Sequence, residues 1–170
     1  MGPSESTPKK GEDSVSLENL LKSVQKNLND GNVKYALLDL KSAEGMAPDD
    51  WRVAYYYGRC YLSNGDYDKA VTKFKKAHAV QPLPEVSYFL AMSHIKSKQW
   101  EDAIETADAA LAKDPSDTTT KAALHYIKSG ANMELGNLDE AISAAENAVE
   151  LVPDDKDYQT HLERLRNAKD

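Results

Sequence analysis

The sequence predicts an all-α chain, a solenoid of about four helix–turn–helix units followed by one further helix. Three observations predict it. Alanine recurs as an anchor at Ala36, Ala70, Ala103 and Ala141, with a second alanine seven residues on at Ala43, Ala77, Ala110 and Ala148. A proline closes each copy twelve residues after the anchor, at Pro48, Pro82, Pro115 and Pro153. Between these marks apolar residues fall three and four apart, as one buried helix face requires. A period in the mid-thirties marks stacked supersecondary units.

Residues 1–14 (MGPSESTPKKGEDS) are rich in Ser, Pro, Gly and charge and read as a disordered tail. Gly2 and Ser6 match a myristoylation pattern in form only, since Pro3 is an awkward neighbour. Thr7-Pro8 before two lysines has the form of a proline-directed phosphosite; the simpler reading is a solvated tail.

The first unit, about 16–47, begins with Leu17, Leu20, Leu21, Val24 and Leu28 on one face. Asp30-Gly31-Asn32 breaks that helix, and Val33, Ala36, Leu37, Leu40 and Ala43 form the next stripe. Unit two, about 50–81, turns at Asn64-Gly65-Asp66. Unit three, about 84–114, turns at Lys98-Gln99. Unit four, about 117–152, turns at Gly136-Asn137. Glycine suits such turns because a helix C-terminus often needs a left-handed residue. Proline stops the second helices, and the aspartates after Pro48 and Pro115 suit the next N-termini. The repeats thus occupy 15–153.

Anchor spacings of 34, 33 and 38 residues put four extra residues into Asp114–Lys121, which predicts a longer first helix or loop in unit four. Phe74 stands between Ala70 and Ala77, whereas units three and four have Ala107 and Ala145 there. Closer packing, or a larger neighbour, is expected in those units. Residues 154–170, with Tyr158, Leu162 and Leu165 on one face, read as a capping helix; the alternative is half of a further unit.

The charge balance, 21 Lys and Arg against 28 Asp and Glu, gives −7 and no basic stripe, so nucleic acid is not an expected partner. Cys60 is the lone cysteine, which excludes an internal disulfide and suits a reducing compartment. No apolar run approaches the roughly 20 residues that span a bilayer. No membrane insertion is expected, and the expected location is cytoplasmic. His78, His94, His125 and His161 have no His or Cys at ligand spacing, so no metal is expected. No phosphate loop, dinucleotide turn or nucleophile elbow is present, so neither a cofactor nor catalysis is expected. Asp154, Asp155 and Asp157 resemble a calcium-loop fragment without its glycine and glutamate, and are read as a helix N-terminus.

With these marks in place, the chain resembles the tetratricopeptide repeat family. Unit two carries Tyr57-Gly58, Tyr61, Gly65, Tyr67, Ala70, Phe74, Ala77 and Pro82 at the family's positions. Unit three matches at Leu90-Ala91, Trp100, Ala103, Ala110 and Pro115. Unit four keeps Gly136, Leu138, Ala141, Ala148 and Pro153 but has Lys128-Ser129 at the pair held by Tyr57-Gly58. The resemblance implies a right-handed superhelix whose first helices line a concave groove for an extended peptide or a partner helix. Such proteins are scaffolds, co-chaperones and assembly factors, seldom enzymes. The subclass that clamps an acidic tail with lysine, asparagine and arginine is not matched, because the clamp sites read Leu21, Gln25, Tyr56, Glu85 and Phe89.

Fifteen residues before the anchors stand Leu21, Tyr55, Tyr88 and Tyr126. Stacked units would set the three tyrosines as a ladder, and tyrosine offers apolar area and a hydroxyl at little entropic cost. Two placements remain open for the rings: the groove, or the joint between units. Eleven before the anchors come Gln25, Arg59, Met92 and Gly130. Arg52 and Arg59 flank Tyr55 two turns apart; they suit a partner carboxylate or a bridge to Glu85. Gly130 within a helix costs about 1 kcal/mol against alanine; two readings stand, room for a ligand or a neighbouring helix, or a glycine that is simply tolerated. The expected function is non-enzymatic protein–protein interaction through Arg52, Tyr55, Arg59, Tyr88, Met92 and Tyr126. The alternative is a structural protein whose first unit and last helix pack copies into homo-oligomers.

Overall fold

A computed structural model describes residues 16–169; the tail readings lie outside them. Among the described residues the chain forms nine helices and no strand. They are α1 Leu17–Asn29, α2 Val33–Met46, α3 Trp51–Asn64, α4 Tyr67–Val80, α5 Pro84–Lys96, α6 Trp100–Leu111, α7 Thr118–Glu134, α8 Leu138–Leu151 and α9 Lys156–Lys169. Successive pairs form hairpins, each first helix also packs on the preceding second helix, and α1, α3, α5 and α7 follow one another along the array.

Each hairpin turns by the same backbone device. At the end of α3, Gly65 N–H donates to Leu62 O and Asp66 N–H to Tyr61 O. The same two bonds recur at Gly31/Asn32, Lys98/Gln99 and Gly136/Asn137. This is the Schellman closure, and it needs one left-handed residue. Glycine fills that place at φ near +75° to +80° in three turns, but in unit three Lys98 does so at φ 59°. Side-chain oxygens of Ser16, Asp50 and Asp117 accept the first N–H groups of α1, α3 and α7. Asp155 does the same for Asp157 and Tyr158 at the start of α9. The four extra residues of unit four lengthen the helix: α7 has 17 residues where α5 has 13.

The eight repeating alanines are the contact line, none more than 2 % exposed. Small side chains let the helices approach closely, and the facing residue adjusts to the space left. Phe74 is fully buried against Gly58, where an added Cβ would stand 2.8 Å from its ring. At the equivalent pairs the chain has Val24 and Leu40, Ala91 and Ala107, and Ser129 and Ala145, all buried. Smaller residues at 107 and 145 are thus matched by a residue larger than glycine across from them. Leu162 and Leu165 of α9 bury against Ala141 and Ala145, covering the apolar side of the fourth hairpin.

Candidate functional site

A largely apolar groove of about 660 Å³ lies on α5, α7 and α9. Tyr88 and Met92 come from α5, Tyr126, Gly130 and Met133 from α7, and Tyr158 and His161 from α9. Gly130 makes the floor deep: a Cβ there would meet nothing within 4 Å. Tyr126 and Met133 remain 37 % and 42 % exposed, large apolar surface that the fold itself does not cover.

Tyr126 is held by its neighbours. Its ring lies 5.0 Å from that of Tyr158 and 5.0 Å, edge to face, from that of His161. His161 is fixed in turn by buried Ser129, whose hydroxyl donates to the Ala141 carbonyl at 2.7 Å. That bond uses the hydroxyl's only proton. The 2.8 Å contact with His161 Nε2 is therefore an Nε2–H donating to Ser129 Oγ, which sets the imidazole tautomer. Burial, with a smaller push from Arg164, holds the His161 pKa below its ordinary value, so the ring is neutral near pH 7. Burial raises the pKa values of Tyr88 and Tyr158, which keep their phenol protons.

The expected residues divide by position. Tyr88, Met92 and Tyr126 line the groove. Tyr55 does not: it is 6 % exposed, with its ring among Trp51, Tyr56, Phe74 and Phe89 and its hydroxyl donating to Glu85 across the unit boundary. The expected ladder therefore has two open rungs, and Tyr55 is a joint residue. The cause is local volume: aromatic neighbours close over Tyr55, whereas Ala123 and Gly130 leave Tyr126 open. Arg52 does not bridge to Glu85. It pairs with Asp50 and with Glu18 of the first unit, each at 2.7 Å. Arg59 lies 5.1 Å from the Phe89 ring centroid and 5.9 Å from that of Tyr55, in cation–π geometry.

Sequence reasoning missed the share of α9, because Tyr158, Leu162 and Leu165 were read together as the covered face of a cap. Tyr158 on that helix, and small residues at 123 and 130, were the available signals. His94 is buried, and its Nδ1 lies 2.6 Å from Gln99 Oε1. Cys60 is buried, and its thiol pKa is pushed up to about 11 by burial, which suits packing rather than thiolate chemistry. Among the described residues no group of His, Cys, Asp and Glu converges as a metal set, and no helix is long and apolar enough to cross a membrane.

Two family models match the chain. The anaphase-promoting complex, cyclosome, subunit 3 model matches residues 29–110, and a tetratricopeptide repeat model matches residues 88–156. The chain belongs to the tetratricopeptide repeat family, and its fold is the right-handed helical superhelix of that family. MamA from Desulfovibrio magneticus RS-1 is 28% identical, with a TM-score of 0.80 over 90% of this chain and 85% of that one. The Cut9–Hcn1 hetero-tetramer of the APC/C aligns at a TM-score of 0.80 and 18% identity, over 89% of this chain and 30% of that one. The first TPR domain of human RPAP3 aligns at 0.63 and 24% identity, over 71% of this chain and 93% of that one. The last two show the fold alone. Together the fold and its relatives support a protein–protein interaction scaffold.

Proposed function

We propose that this protein is a non-enzymatic module, with repeats over 15–153 and a cap over 154–170, that holds a peptide or helix of a partner in the groove of α5, α7 and α9. The observation that carries the reading is the uncovered aromatic and thioether surface of Tyr126 and Met133 beside the open space at Gly130. Tyr88 and Met92 form the facing wall, and Arg59 extends the surface toward unit two. Arg52 acts there by holding α1 to α3. The compartment that suits a buried, unpaired cysteine is the cytoplasm, and an assembly-factor role fits a module without chemistry of its own. A peptide array probed with the protein and with Tyr88→Ala tests the reading. The variant is expected to melt as a folded chain and to lose its peptides; a folded variant that keeps all of them overturns it.

A second reading, self-association, has its own observation. Tyr35 and Leu38 stand 60 % and 57 % exposed on the outer face of α2. The equivalent positions hold Lys69 and Thr72, Asp102 and Glu105, and Glu140 and Ser143. Light scattering against concentration tests it, with Tyr35→Lys/Leu38→Thr installing the residues of unit two. A chain that is monomeric at all concentrations excludes this reading.

A further inference from the structure

Charge around the groove specifies the guest further than its shape does. Among the described residues lining the groove the carboxylates are Glu134, Asp155 and Asp157 and the cation is Lys96, with Arg164 near enough to act on His161. Asp155 Oδ1 is occupied by the first N–H groups of α9. Glu134 and Asp157 have no ion pair among the described residues. The structure thus holds unneutralised negative charge beside an apolar floor, and such a cleft concentrates cations. The tyrosine rings act in the same sense, since Tyr126 and Tyr158 offer π faces to a guanidinium or ammonium group. An acidic guest would set its carboxylates against three of the same sign, an arrangement that excludes it.

The geometry points to a basic amphipathic segment of another protein as the occupant. An aliphatic or aromatic side chain sits over Gly130 between Met92 and Tyr126, and an arginine or lysine lies beside Glu134, Asp155 and Asp157. This rests on the groove reading above and adds to it the sign of the guest's charge. Gly130 has a further use here. The fourth unit lacks a side chain where units one to three have Gln25, Arg59 and Met92, so a larger residue can be installed without disturbing the helix's own packing.

Selection from displayed short random peptides on the full chain tests this. Every binder is measured again on Gly130→Leu, after a thermal melt shows that the variant is folded. Peptides that bind the chain and not this variant define the groove set. That set is expected to carry net positive charge and at least one large apolar residue. Its members are expected to weaken about tenfold on Glu134→Gln/Asp157→Asn, a change that removes two charges and no packing. A groove set that is neutral or acidic, or that ignores the double substitution, overturns the charge inference and leaves the groove standing. An empty groove set overturns both.

Discussion

At the scale of single residues, the molecule is governed by where it omits side chains. Gly58 and Gly130 both lie within helices, and their reasons are opposite. Gly58 yields its space to Phe74, so Gly58→Ala is expected to lose about 1–3 kcal/mol through overpacking. Phe74→Ala alone is expected to lose about 3–5 kcal/mol. In the double variant the new methyl meets no ring, so its cost falls below the sum of the two, as denaturant unfolding would show. Gly130 yields its space to solvent, so Gly130→Ala is expected to gain about 0.5–1 kcal/mol from helix propensity alone. A loss on Gly130→Ala would mean that the helix needs glycine for its own packing. Lys98 holds the one hairpin turn without glycine at its left-handed position, and Lys98→Gly is expected to gain about 0.5 kcal/mol of stability, seen as a higher urea midpoint.

At the scale of elements, the helices were legible and their exposure was not. Alanine, turn and proline at fixed offsets place every hairpin, because each mark has a single backbone or packing cause. Tyr55, Tyr88 and Tyr126 carry the same mark, yet one is buried and two open on the groove. Their fates are set by residues from other helices, Phe74 and Phe89 around the first and Tyr158 and His161 around the last. Such neighbours lie between half a unit and one unit away in sequence, beyond the reach of a local pattern. The partial legibility of α9 has the same root: it is a support for α8 and a groove wall at once. Leu165 is 1 % exposed, and Leu165→Ala is expected to cost about 2–4 kcal/mol and to loosen the Tyr126 site with it. Near-ultraviolet dichroism of the tyrosines checks the second part.

At the scale of the whole molecule, the titration of histidine gives the array a common response to acid. His78, His94, His125 and His161 all have pKa values held below the ordinary 6.5, burial being the first cause in each. The unfolded chain therefore takes up these protons before the folded chain does. Stability is complete above pH 6.5 and falls as the pH drops through that value toward the folded pKa values. Asp50, Asp114 and Asp117 are also held low, by bonds to Arg52, Lys121 and Thr120, and add a second loss only below their ordinary 3.8. Urea midpoints at pH 7.5 and 5.5 check the first window; equal midpoints would contradict it.

The link from Tyr126 through His161 to Ser129 also makes the groove its own sensor. A guest that presses on the tyrosine must act on an imidazole whose proton is already assigned to one nitrogen. In a nitrogen-15-enriched chain the nitrogen resonances of His161 would thus register occupancy from within the wall, with no reporter group added to either protein.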